Sequence, residues 1–128
     1  MLQGSPFSPW LFNLFIDDLL YKVNIGISGI PICFFYADDG VIATNSKTDL
    51  AEKLKIVEDW TVENLLFLNS KKCALITTRQ GLPLLSVYGQ AIPQVDCYTY
   101  LGFLVAASGI DFQQHLEQRV QAAVNRAR

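Results

Sequence analysis

Two aspartates set side by side between apolar runs constrain this chain more than anything else in it. In Phe34-Phe35-Tyr36-Ala37-Asp38-Asp39-Gly40-Val41-Ile42, the apolar segments Ile32 to Tyr36 and Val41 to Ala43 meet at two carboxylates and a glycine. The pattern predicts a β-hairpin with a charged tip. Asp39-Gly40 is the expected turn, since Asp tolerates and Gly favours the positive φ of tight hairpin turns. Between two buried strands, adjacent unpaired carboxylates raise each other's pKa and cost stability, so something must compensate them. A divalent metal is the natural candidate. Carboxylate oxygens suit Mg²⁺, which is usually held by one or two carboxylates together with substrate phosphates.

The rest of the composition says what such a hairpin can be embedded in. At 128 residues the chain is long enough for one modest domain, yet 51% of it is hydrophobic, more than so short a chain easily hides. The surplus suggests part of a larger core. A net charge of −2 gives no global attraction for nucleic acid, so any such contact must be local. Cys33, Cys73 and Cys97 are odd in number and scattered, and His115 lies far from them. A zinc site or disulfide framework is not expected; reduced, mostly buried thiols in a nuclear or cytoplasmic protein are. The N-terminal residues do not read as a signal peptide. The apolar run Trp10 to Leu20 is interrupted by Asn13, Asp17 and Asp18, so no membrane span is expected.

Ser8-Pro9 marks a helix start, with Ser8 as cap and Pro9 in the first turn, and the helix is predicted from about Pro9 to Val23. Apolar residues occupy nearly all its faces, which predicts burial on most sides. After the hairpin, Leu50, Leu54, Val57 and Thr61 fall at helical spacing and predict a second helix from about Thr48 to Asn64. Leu68 to Thr77 reads as a strand. Leu85 to Tyr88, a Gly89-Gln90 turn, Ala91 to Val95 and Tyr98 to Val105 read as further short strands. Phe112, Leu116, Val120 and Ala123 predict a third helix over Asp111 to Arg128. The order is helix, hairpin, helix, strands, helix. With one strand in front it matches the split βαβ arrangement β-α-β-β-α-β, so the expected class is α+β.

Read together, Gln3-Gly4-Ser5-Pro6-Phe7-Ser8-Pro9 with Leu11-Phe12-Asn13, then Tyr36-Ala37-Asp38-Asp39, then Leu68-Asn69 leading to Lys71-Lys72, then Tyr100-Leu101-Gly102, form an ordered series. It resembles the motif series of reverse transcriptases, RNA-directed DNA polymerases, and most closely those of non-LTR (LINE-type) retroelements. The resemblance implies a partial polymerase palm over 1–106, ferredoxin-like in its split βαβ order but lacking its first central strand. Residues 107–128 would begin a thumb or connecting helix. It implies Mg²⁺, or Mn²⁺ in its place, on Asp38 and Asp39, with Asp38 the direct ligand. Lys72 would meet the triphosphate or its leaving group and completes the implied catalytic set. Gln3, Gly4, Ser5 and Pro6, with Tyr36 and Ala37, would lie along the incoming nucleotide and template base, and Tyr100, Leu101 and Gly102 would form the primer grip. RNA template, DNA primer and dNTPs are the implied partners, together with fingers and thumb segments.

One feature of the family is not matched. Its palm has an earlier strand whose aspartate completes the metal site, and nothing in this chain before Leu2 is expected to hold it. Asp17 and Asp18 belong to the helix after Gln3-Gly4 and cannot substitute. The expectation is therefore a polymerase fragment inactive on its own. The competing readings are a remnant that binds RNA or protein without chemistry, and a non-functional truncated product. For RNA binding, Lys71, Lys72, Arg79 and Tyr88 make only a sparse basic and aromatic set.

Overall fold

The Ser8-Pro9 dipeptide begins a helix one residue longer at each end than its periodicity predicts: α1 runs Ser8–Asn24. In the computed structural model, which describes residues 6–25, 33–79, 84–110 and 112–126, the capping position falls on Phe7 rather than Ser8. Phe7 is already helical, and its carbonyl accepts the Leu11 N–H at 3.0 Å, so Ser8 lies inside the first turn. Pro9 sits where a missing N–H removes no helical bond.

Burial of α1 is confined to one stripe. Ile16, Leu19 and Val23 are buried, whereas Trp10 is 80% exposed and Leu14 75%. The expected enclosure on most sides is thus not found among the described residues. Apolar spacing says which faces could be buried, and among the described residues α2 (Lys47–Glu63) and β1 (Cys33–Tyr36) are the main partners of that stripe. β1 pairs antiparallel with β2 (Asp39–Ile42). Ser46 caps α2, its side chain accepting the Asp49 N–H at 3.4 Å. The helix ends at the cap Asn64 with Leu65 in the left-handed region (φ +56°) and the Leu66 N–H reaching back to the Thr61 carbonyl at 2.8 Å. That is a Schellman closure with leucine in the place usually held by glycine.

Ile16, Leu19, Val23, Cys33, Val57 and Trp60 form the core of this part, with Phe12, Phe35, Ile42 and Leu68 packed against it. Each fully buried aliphatic side chain there stabilises the fold by about 1.5–3 kcal/mol relative to exposure. Trp60 also meets Phe15, ring centroids 5.1 Å apart. These elements belong to one compact unit, Met1–Leu68, and the remaining residues to a second, Asn69–Arg128.

In the second unit, the strand expected over Leu68 to Thr77 is replaced by a 3₁₀ turn, Ser70–Lys72, and a single parallel bridge from Leu75 to Gln94. The cause is local: Asn69 turns its side-chain oxygen onto the Lys71 N–H at 3.2 Å and ends the extended chain. Two short hairpins come next, β3 (Ser86–Val87) with β4 (Gln90–Ala91), and β5 (Cys97–Tyr100) with β6 (Phe103–Ala106), the latter extended by β7 (Gly109–Ile110). The turn between β3 and β4 is Tyr88-Gly89, not Gly89-Gln90. Both residues take positive φ, +50° and +74°, as a two-residue turn of matching twist requires. α3 (Phe112–Arg126) packs on β6, with the Phe103 and Phe112 rings 6.3 Å apart. Leu85, Val87 and Ile92 are buried. The fold is α+β, with three α-helices and separate antiparallel sheets of two, two and three strands among the described residues.

Candidate functional site

The acidic hairpin is held from below by its own alternation. Cys33 and Phe35 face the core with Ile42, while Phe34 and Tyr36 face outward, Tyr36 being 67% exposed. Register follows from this: Cys33 opposes Ile42, Phe35 opposes Gly40 and Tyr36 opposes Asp39. The two residues left to turn the chain are Ala37 and Asp38, not Asp39 and Gly40 as turn chemistry alone predicts. Ala37 takes the left-handed conformation (φ +51°) at the tip. Gly40 is absent from the left-handed glycines of the described residues and lies within β2. Its lack of a side chain serves the close approach of the Phe35 ring instead.

Asp38 and Asp39 are both exposed, side by side at the end of this hairpin. Both residues are open to solvent, so the desolvation cost expected between two buried strands is small. What the arrangement offers is a pair of accessible carboxylates on a short, well-anchored mount.

The anchor is Asn24, which sequence reasoning missed. Its side-chain amide donates to the Leu20 carbonyl at 3.0 Å and the Cys33 carbonyl at 3.3 Å, while its oxygen accepts the Cys33 N–H at 3.1 Å. One amide thus closes the end of α1 and pairs with the first residue of β1 as a neighbouring strand would. An asparagine at a helix end was the available signal. Below it, burial pushes the Cys33 thiol up to about 11, which makes it an inert core group rather than a ligand.

Asp18 has a structural task. Its carboxylate accepts the Trp60 indole N–H at 3.0 Å and pairs with Lys22 at 3.2 Å. The Trp60 hydrogen bond, and next the Lys22 ammonium, hold its carboxyl below the ordinary aspartate range. Among the described residues, no group of three or more His, Cys, Asp or Glu stands together as a metal site.

In the second unit, Lys71 and Lys72 are exposed on the 3₁₀ turn, where a strand start was expected for Lys72. The Tyr98 hydroxyl donates to the Lys72 carbonyl at 2.8 Å, a contact no sequence pattern announces. Tyr100 ends β5, and Leu101 (φ +50°) with Gly102 (φ +82°) makes the turn into β6, so the strand expected over Tyr98 to Val105 is instead a hairpin with Tyr100, Leu101 and Gly102 at its tip. Pro6 precedes α1 and is exposed. Gln3, Gly4 and Ser5 lie outside the described residues. The structure therefore groups Tyr36, Ala37, Asp38 and Asp39 on one hairpin and links Lys72 to the β5–β6 hairpin in the other unit.

Residues 1–105 match the family "Reverse transcriptase (RNA-dependent DNA polymerase)". Two curated relatives, both described as "Retrovirus-related Pol polyprotein from type-1 retrotransposable element R2" from Popillia japonica, are 26% and 29% identical to the chain. Each alignment covers 84% of this chain but only 21% and 18% of the polyproteins, so the chain spans about a fifth of their length. No solved structure gives a significant match. The chain belongs to the reverse transcriptase family, and its resemblance within that family is to the non-LTR (LINE-type) retroelements.

Proposed function

We propose that this chain is the part of an RNA-directed DNA polymerase palm that carries two of its acidic residues, within a longer protein that extends a DNA primer on an RNA template with dNTPs. The observation that carries the reading is the Tyr36-Ala37-Asp38-Asp39 hairpin: two exposed, adjacent carboxylates on a mount fixed to the core by Cys33, Phe35 and Ile42. Phosphoryl transfer to a 3′ hydroxyl is chiefly positioning and neutralisation of charge. Hard carboxylate oxygens fit Mg²⁺ or Mn²⁺, which when bound supplies that neutralisation in the two-metal pattern of polymerases. Asp38, in the turn, is the direct ligand in this reading, and Asp39 belongs to the same acidic centre. Tyr36 and Ala37, with Gln3, Gly4, Ser5 and Pro6, lie along the nucleotide and template base. Lys72 faces the triphosphate, Tyr100-Leu101-Gly102 grips the primer, and α3 starts the thumb. The three free thiols support an intracellular setting, nuclear or cytoplasmic.

Two carboxylates alone fix a pair of metals poorly. The 128 residues by themselves are therefore inactive, and activity needs a further aspartate from elsewhere in the longer protein. Primer extension on a primed RNA template with Mg²⁺ tests both halves. The chain alone should give no product, while a polypeptide extended upstream should give product that Asp38→Asn abolishes. Template-dependent extension by the chain alone refutes the inactivity, and a fully active Asp38→Asn variant refutes the metal assignment.

A further inference from the structure

The turn that carries Lys71 and Lys72 is fastened to the hairpin that carries Tyr100, Leu101 and Gly102. Tyr98, two residues before Tyr100 in β5, reaches across 26 positions of sequence to donate its hydroxyl to the Lys72 carbonyl. The turn has its own closure: the Lys72 N–H meets the Asn69 carbonyl at 2.9 Å and the Cys73 N–H meets the Ser70 carbonyl at 3.2 Å. A second side-chain bond, Ser70 Oγ donating to Gln90 Oε1, ties the same turn to β4. Beyond it, the Leu75 N–H donates to the Pro93 carbonyl and the Leu75 carbonyl accepts the Val95 N–H, each at 2.9 Å. Residues 69–75 are thus laid along residues 90–98.

Packing does not explain the hydroxyl. Tyr98 is 38% exposed, and phenylalanine would fill the same space. What the bond adds is a fixed position for the Lys72 backbone, the base from which a long and flexible ammonium-bearing stem extends. Period-two alternation places Tyr98 and Tyr100 on the same face of β5, so a load at the β5–β6 tip acts on the strand that holds Lys72.

We propose that Tyr98 is a positioning residue that couples the Tyr100-Leu101-Gly102 hairpin to the Lys71-Lys72 turn, so that a nucleic-acid strand seated on the hairpin also fixes the place of Lys72. The coupling rests on the proposed polymerase function, in which the hairpin meets primer and Lys72 meets nucleotide phosphates. Ordering the hairpin removes freedom from the turn in advance, and a nucleotide arriving second finds the lysine already placed.

Residue-resolved amide hydrogen exchange on the 128-residue chain tests this, using a DNA primer annealed to an RNA template as the probe and Tyr98→Phe as the variant. Without nucleic acid, Tyr98→Phe should speed exchange at Lys72 and Cys73 about fivefold, the ratio set by one hydrogen bond of ordinary net strength, and leave the Leu50 and Asn64 amides of the first unit unchanged. Unchanged exchange at Lys72 and Cys73 overturns the positioning role. With the duplex, the native chain should show slower exchange both in β5–β6 and at Lys72, whereas Tyr98→Phe should show it in β5–β6 alone. Equal slowing at Lys72 in both proteins overturns the coupling and leaves the nucleic-acid reading standing. A duplex that slows nothing in β5–β6 of either protein, in the 128-residue chain and in the upstream-extended polypeptide alike, overturns that reading, and the coupling with it.

Discussion

The Phe35 ring lies so close to Gly40 across the β1–β2 pair that a Cβ at residue 40 would stand 2.6 Å from the ring's Cε1. The residue that follows the acidic pair is therefore glycine for reasons of space. Gly40→Ala should displace the ring from the core edge and destabilise the first unit by about 1 kcal/mol, at the low end of overpacking costs because the clash falls on a side-chain end. Urea unfolding measures it. Phe35→Leu in the same chain should remove most of the penalty, a coupling that a double-mutant cycle reads directly.

Leu65 closes α2 in a left-handed conformation while 86% exposed. Its side chain is strained and covers little. Leu65→Gly should raise stability by about 1 kcal/mol, the relief of a left-handed leucine reduced by the greater freedom glycine has when unfolded. The urea midpoint should move up with an unchanged slope.

Asp18 links α1 to α2 through Trp60. Its folded pKa is lowered, first by the Trp60 N–H and then by Lys22, so it binds a proton less readily folded than unfolded. The contribution is therefore present above the ordinary aspartate value of 3.8 and is lost as pH falls through the lower folded value. Asp18→Asn should flatten this acid limb of the stability profile. Added salt should weaken only the Lys22 share, because that pair is exposed.

Cys33 is 2% exposed and clamped by Asn24. Its raised pKa means that folding favours the protonated thiol, so stability should fall as pH rises from about 9.0 toward about 11. Iodoacetamide at neutral pH should modify the exposed Cys97 first and Cys33 last. Asn24→Ala should speed Cys33 labelling at least tenfold, since losing the clamp frees the start of β1 and leaves its paired groups unsatisfied.

The helices were legible to within about a residue because Pro9 and Ser46 punctuate them chemically and their apolar spacing is regular. The hairpin was legible too, but its turn lay two residues earlier than Asp39-Gly40 suggests. Pairing Cys33 with Ile42 keeps the core-facing set together, and that register outweighs local turn preference. The strand expected after Leu68 failed because one capping side chain, Asn69, competed with the extended ladder. Exposure of Trp10 and Leu14 was hidden for another reason: periodicity records which faces are apolar and carries no information on what covers them. The Tyr98 contact lay deeper still, since it depends on a fold that brings positions 26 residues apart together.

The two-residue turns at Ala37-Asp38, Tyr88-Gly89 and Leu101-Gly102 have a kinetic consequence. Each strand pair closes on its immediate neighbour in sequence, so little loop entropy is lost in forming it, and such hairpins assemble within microseconds. The Trp60 bond to Asp18 spans 42 positions and has to wait for both helices. The acidic hairpin can thus close early, but its register is settled only when both helices supply the core on which Cys33, Phe35 and Ile42 pack.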